Sequence, residues 1–283
     1  MLVKMIIISV VSMGGIGAVL ALFLAFADKK FKVEEDPKVE EIAGILPGSN
    51  CGGCGYPGCR ALAEILAKGE APPNVCVAGG NAIAVKLAAA MGVAVLDHKR
   101  NVAVVLCKGG HAEAERRGIY KGEMTCTASQ ITGGDKACTY GCLGYGECVD
   151  ACKYDAMAMD SNGLPVVFYD KCVGCGACAK ACPRNIIEMH PEEDKLFVYC
   201  RSRDKGAYAK KVCSVACIAC GLCVKDCSVP GAIALNNNLA VIDYAKAPQN
   251  DESTKRCPTK CILFGLEEKV TKRGFEASVR KSA

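Results

Sequence analysis

The stretch Cys172-Val173-Gly174-Cys175-Gly176-Ala177-Cys178-Ala179-Lys180-Ala181-Cys182-Pro183 constrains this chain more than any other. Its spacing is C-x2-C-x2-C-x3-C-P. In such a run three thiolates grip one iron–sulfur cluster, and the fourth, before proline, reaches a second. The fold must therefore bring distant segments together to complete each ligand set. Structural zinc sites favour two well-separated C-x2-C pairs, so the uninterrupted run speaks for clusters. The chain of 283 residues has 22 cysteines and no Trp. Disulfide frameworks belong to short secreted chains, whereas clusters need reduced thiols, so the bulk of the protein belongs in a reducing compartment. The formal charge of +5 ignores metal-bound thiolates. At about −2 for each cubane, four clusters make the loaded protein neutral or acidic.

Met5 to Ala27 contains no charged residue and is long enough to span a hydrocarbon core as a helix. Gly14-Ala18 and Gly17-Ala21-Ala25 place small residues at helical spacing, which permits close packing on a partner helix. Lys29, Lys30 and Lys32 follow the run and only Lys4 precedes it, which puts the C-terminal bulk in the cytoplasm. Ala25-Phe26-Ala27 has the form of a signal-peptide cleavage site. The long apolar run and the thiol-rich body favour an uncleaved transmembrane anchor, residues 1–27.

A second cysteine group, Cys51, Cys54, Cys59 and Cys76, has the spacing C-x2-C-x4-C-x16-C and defines a small N-terminal [4Fe–4S] domain, residues 28–95. Its glycines let backbone N–H groups approach cluster sulfurs. The residues after Cys59 read as a helix that returns the chain to Cys76, and Ala82 to Met91 reads as another. Gly79-Gly80 before that helix fits ordinary helix-start packing better than phosphate binding, because no GxGxxG is present. Asn101 to Cys107 reads as a strand. It opens a connecting segment, residues 96–135, whose Cys107 and Cys126 have no ligand spacing of their own.

Residues 136–190 read as a two-cluster module. Upstream of the opening run stands Cys138-x3-Cys142-x5-Cys148-x3-Cys152, with Tyr145 where a regular motif has a cysteine. Cys138 is the nearest substitute. Interlocked ligation then predicts Cys138, Cys142, Cys148 and Cys182 on one cluster, and Cys152, Cys172, Cys175 and Cys178 on the other. Asn162-Gly163 between two short apolar runs predicts a hairpin. Residues 191–265 repeat the pattern: Lys211 to Cys227 aligns without gaps on Lys136 to Cys152, with Cys220 in the place of Tyr145. Ala247, Asn250 and Ser253 stand where Cys172, Cys175 and Cys178 stood, so this degenerate module keeps one cluster, on Cys217, Cys220, Cys223 and Cys257. Four cubanes are expected. Cys213 then reads as a spare thiol, and a fifth cluster on Cys200, Cys213, Cys227 and Cys261 follows no regular spacing. A basic tail, residues 266–283, reads as a solvated terminus.

An apolar anchor, a CGGCGYPGC segment and ferredoxin-like runs in this order resemble the B subunit of the Rnf electron-transport complex, called the Rsx complex in its regulator-reducing form. The resemblance covers nearly the whole chain. It implies an α+β protein with a single N-terminal transmembrane helix, a small α-rich [4Fe–4S] domain and tandem bacterial ferredoxin-like modules. It further implies a subunit of a membrane-bound, ion-translocating ferredoxin:NAD oxidoreductase at the bacterial inner membrane, single-pass, with cytoplasmic soluble domains. Such a subunit takes electrons from soluble ferredoxin and relays them to other membrane and peripheral subunits. Tyr145 and the losses at Ala247, Asn250 and Ser253 depart from the family pattern. No nucleotide, flavin or nucleophile motif appears, and His98, His111 and His190 are scattered, so no bond-making active site or nucleic-acid role is expected. Two other readings use the same residues: an electron donor to a cluster-containing transcription regulator, and a corrinoid iron–sulfur methyl-transfer protein. The second needs a cobalamin-binding barrel for which the chain has no room.

Overall fold

The computed structural model describes residues 2–31, 36–94 and 100–266. Lys32, His98 and the tail from Glu267 to Ala283 lie outside the described residues. Helix and strand are mixed throughout.

Helix α1 spans Leu2–Phe31, 30 residues, and covers the whole uncharged run. At 1.5 Å per residue it is about 45 Å long. Its described apolar side chains, among them Met13, Leu22 and Phe26, are exposed. Counting only the described residues, no helix is long and apolar enough to cross a membrane.

Three helices then enclose an apolar core. Helix α2, Pro37–Ile45, starts at Asp36, whose carboxylate accepts from the Lys38 N–H at 2.9 Å, with proline at the first helical position. Helix α3, Cys59–Ala67, begins where the Asn50 side chain accepts from the Cys59 N–H at 2.8 Å. Helix α4, Gly80–Met91, ends at Gly92 in the left-handed conformation. Ile42, Leu62, Leu66 and Leu87 are buried among them, and Cys54, Cys59 and Cys76 pack on this core.

The remainder contains one arrangement twice. Strand β1, Asn101–Val105, leads through α5 (Cys126–Thr132) and α6 (Glu147–Asp150) to the hairpin β2 (Met157–Met159) and β3 (Pro165–Val167), then α7 (Ala177–Ala181) and β4 (Ile187–Pro191). β4 returns antiparallel to β1, with Ala103 opposite Met189. Strand β5, Leu196–Val198, leads likewise through α8 (Gly206–Val212) and α9 (Leu222–Lys225) to the hairpin β6 (Ile233–Asn236) and β7 (Leu239–Ile242), then α10 (Glu252–Lys255) and β8 (Ile262–Phe264). β8 returns antiparallel to β5.

The expected strand Asn101 to Cys107 is shorter at its end. Leu106 still donates to the Ile186 carbonyl, 2.7 Å, and the chain then turns away at Cys107. The two hairpins use different turns. Asn237 and Asn238 both have positive φ, the two-residue turn matched to strand twist. At the first hairpin only Gly163 does, and Asp160 closes a longer loop by accepting from the Leu164 N–H at 2.7 Å.

Candidate metal centres

The cysteines surround five cavities. Among the described residues no group of three or more His, Cys, Asp or Glu side chains is placed to hold a single metal ion. The sulfurs are instead set around spaces of 280 to 370 Å3.

The smallest of these spaces is lined by Cys51, Cys54, Cys59 and Cys76, with Gly52 and Gly58 leaving room at its wall. The Asn50 bond that starts α3 fixes Cys59 against the loop, and the turns around Cys76 bring the fourth sulfur back. Burial raises the Cys51 thiol, but the Tyr154 side chain and the Gly53 N–H outweigh it and hold the pKa below its ordinary value. Tyr154 belongs to the next cavity, lined by Cys152, Cys172, Cys175 and Cys178. Its buried hydroxyl has no hydrogen-bonding nitrogen or oxygen, the condition of a donor aimed at sulfur. Gly53 and Cys175 are in contact as well: a Cβ on Gly53 would lie 3.0 Å from the Cys175 Cβ. The two cavities therefore abut.

The third cavity is lined by Cys126, Cys142, Cys148 and Cys182. The lining differs from the grouping expected from spacing: Cys138 does not line this cavity, and Cys126 does. The cause is the docking of α5 on the start of α6. The Glu147 carboxylate accepts from the Thr127 hydroxyl at 2.9 Å and from its N–H at 3.2 Å, which brings Cys126 beside Cys148. Tyr145 points elsewhere and packs on Tyr120, ring centroids 5.7 Å apart. Burial pushes the thiols of Cys142 and Cys148 up to about 12, as it does Cys178 in the neighbouring cavity. Such thiols are protonated at neutral pH, and metal binding would release those protons. Arg184 lines the same cavity, and its buried Nε has no partner.

The fourth cavity is lined by Cys217, Cys220, Cys223 and Cys257, with Cys261 as a fifth sulfur. The Cys261 thiol shares hydrogen bonds with Cys217 and Cys257, which lowers the pKa of Cys217 and of Cys257 and raises that of Cys261. Cys220 is exposed. Cys227 lines none of the five cavities, and its thiol donates to the Val229 carbonyl at 3.2 Å.

Cys138 lines a fifth cavity, together with Cys107, Cys200 and Cys213. The alternative fifth grouping, Cys200 and Cys213 with Cys227 and Cys261, is thus separated in space. Cys107 and Cys126 lacked any motif. The signal available for them was indirect: Tyr145 leaves a ligand position to be filled, and unassigned cysteines lie upstream.

Comparison with known proteins agrees with this chemistry. A family model described as "Putative Fe-S cluster" matches residues 46–78, and one described as "4Fe-4S binding domain" matches residues 165–188. The B subunit of the Na(+)-translocating ferredoxin:NAD(+) oxidoreductase complex of Acetobacterium woodii is 43% identical over 263 residues, covering 93% of this chain and 79% of the relative. The B subunit of the ion-translocating oxidoreductase complex of Methanosarcina acetivorans is 39% identical over 255 residues, 90% of this chain and 96% of the relative. The B subunit of the proton-translocating ferredoxin:NAD(+) oxidoreductase complex of Clostridium ljungdahlii is 42% identical over 269 residues, 93% of this chain and 94% of the relative.

Proposed function

This chain belongs to the B-subunit family of the Rnf ion-translocating oxidoreductase complexes, and from that premise we propose how its cysteines carry out electron transfer in a ferredoxin:NAD oxidoreductase. Four sets would each hold a [4Fe–4S] cluster: Cys51, Cys54, Cys59 and Cys76; Cys152, Cys172, Cys175 and Cys178; Cys126, Cys142, Cys148 and Cys182; and Cys217, Cys220, Cys223 and Cys257. The observation that carries this reading is the coincidence of ligand spacing with four-sulfur cavities. The Tyr154 hydroxyl, already turned to the Cys51 sulfur, and the unpartnered Arg184 Nε supply donors of the kind cluster sulfurs accept. A bound cluster supplies one-electron transfer with no bond made or broken in the protein.

The residues around the sulfurs exclude water, tune potential through hydrogen bonds and set the order of the sites. The chain divides into an anchor, an N-terminal cluster domain and two ferredoxin-like modules. Helix α1 anchors it in the membrane, and the Cys51–Cys76 site follows closely in sequence, suited to exchange with membrane subunits. Cys220, exposed in the last module, suits a soluble ferredoxin donor on the cytoplasmic side. The test is to purify the full chain in detergent from bacterial membranes under anoxic conditions. Expected are an intact N-terminus, co-purifying complex subunits, at least about 16 iron atoms per chain, and reduction by reduced ferredoxin. A soluble chain that begins near Asp28, or one that ferredoxin leaves oxidised, would refute this reading.

A further inference from the structure

We propose that Cys107, Cys138, Cys200 and Cys213 hold an additional [4Fe–4S] cluster at the junction of the two repeats, each repeat supplying an equivalent pair of ligands. The inference rests on the reading that the other four sets bind clusters.

The equivalence is visible in the backbone. Cys107 follows the end of β1 by two residues, and Cys200 follows the end of β5 by two. The residue before each donates to the returning segment of its own repeat: Leu106 to the Ile186 carbonyl and Tyr199 to the Cys261 carbonyl, both 2.7 Å. Each sulfur accepts from the first cysteine of the following C-x2-C or C-x5-C group. Cys142 N–H lies 3.4 Å from Cys107 Sγ, and the Cys217 N–H donates to Cys200. Each accepts again from the residue two positions on, Gly109 and Ser202. Cys138 and Cys213 are the other pair, each four residues before Cys142 or Cys217 in the gapless repeat. The four sulfurs thus meet between the two repeats, where Ala114 forms an antiparallel bridge with Cys213.

The space fits the group. The cavity is about 370 Å3, against 280 to 360 Å3 for the other four. Glycines keep it open: a Cβ on Gly141 would stand 3.4 Å from Cys138 Sγ and 3.6 Å from Cys107 Sγ, and one on Gly109 2.9 Å from Cys213 Sγ. Its charge fits too. Lys136 is 2% exposed, lines the cavity and donates to the Gly109 carbonyl at 3.0 Å. Arg201 lines it as well: its Nη2 pairs with the Glu188 carboxylate, and its buried Nε, without a partner, is left as a donor toward the cavity. A buried ammonium is costly unless an anion compensates it, and a cubane with four thiolates carries about −2. The Cys107–Cys142 and Cys200–Cys217 contacts also make this cavity the neighbour of a site in each repeat, so it joins the two halves of the array.

The test counts metal in the full-length chain purified anoxically in detergent. The wild type should contain about 20 iron atoms and as many acid-labile sulfides per chain. The double variant Cys200→Ala/Cys213→Ala should contain about 16 and lose one cluster from the Mössbauer spectrum, whereas Cys227→Ala should keep about 20. A wild type with about 16 iron atoms, unchanged in the double variant, would overturn the additional cluster and leave the other four standing. One zinc ion lost in the double variant would overturn it equally. A wild type without cubane iron would instead defeat the underlying reading. Should the double variant fail to accumulate, the wild-type count and the single variant Cys107→Ala decide the matter.

Discussion

In the first repeat, Cys152 and the loop from Cys172 to Cys178 face one another across an open cavity. In the second, the corresponding residues are Cys227, Ala247, Asn250 and Ser253, of which Cys227 and Ala247 pack on the apolar core and the surrounding loop is tied by polar contacts to its neighbours. Asn250 donates to the Ser228 hydroxyl at 2.9 Å, and the Arg256 guanidinium pairs with the Asp226 carboxylate, its Nε at 2.7 Å. The frame around the two regions is the same. Phe168 donates to the Ala156 carbonyl and Asp243 to the Ala232 carbonyl, both at 2.8 Å, and each hairpin packs on its own apolar core. The fold therefore stands on backbone pairing and apolar burial, and a cysteine-lined cavity can be given up without losing it. The replacement is incomplete: Ser253 Oγ and Asn250 Oδ1 are buried without partners.

The largest effect separates the two regions by metal. Cys178→Ala should cost about 4 iron atoms per chain, because an iron without its thiolate makes the cluster labile. Cys227→Ala, at the position equivalent to Cys152, should cost none. Iron analysis of the two variants side by side measures this, and equal losses would show that the second region also ligates metal.

The next effect concerns the irregular ligand of the first repeat. Cys126→Ala should lose about 4 iron atoms. Tyr145 occupies the place that Cys220 fills in the second repeat, so adding Tyr145→Cys to the Cys126→Ala background should restore them. Failure of the rescue, with the single variant depleted, would mean that the loop around Tyr145 no longer has the ligand-bearing conformation.

Smaller effects read the packing. Ser253 is 1% exposed and its hydroxyl has no partner, so Ser253→Ala should stabilise the second repeat by about 1 kcal/mol, a few degrees in anoxic thermal unfolding. A loss of stability instead would reveal a hydrogen bond to that hydroxyl. Least of all is the backbone effect at Ala219, which has φ +54 where Gly144 and Gly174 stand in the other loops. Ala219→Gly should relieve this left-handed strain and gain roughly 0.5 to 1 kcal/mol. Gly174→Ala should do the reverse and more, since its Cβ would meet the Asn101 carbonyl oxygen at 2.4 Å.

Much of this molecule is legible along the chain, because a cluster-binding loop is a local object. Three thiolates within seven residues, as at Cys172, Cys175 and Cys178, and the prolines and glycines that shape such loops are set by spacing alone. The helix after Cys59, the alanine-rich helix before Gly92, the strand at Asn101 and both hairpins follow from periodicity and turn residues in the same way. The helical backbone of Met5 to Ala27 does too.

What spacing does not reach is the sulfur that arrives from elsewhere. Cys126 and Cys138 are both upstream of Cys142, and nothing in their separation from it says which one turns inward. That choice falls to the Glu147 contacts that dock α5, and to the turn after β1 that sets Cys107 beside the Cys142 N–H. The gapless repeat already pairs Cys138 with Cys213, yet a repeat cannot tell two spare thiols from two halves of one site. Only the approach of the turns that follow β1 and β5, at Cys107 and Cys200, does so, through long-range packing that brings together residues far apart in sequence.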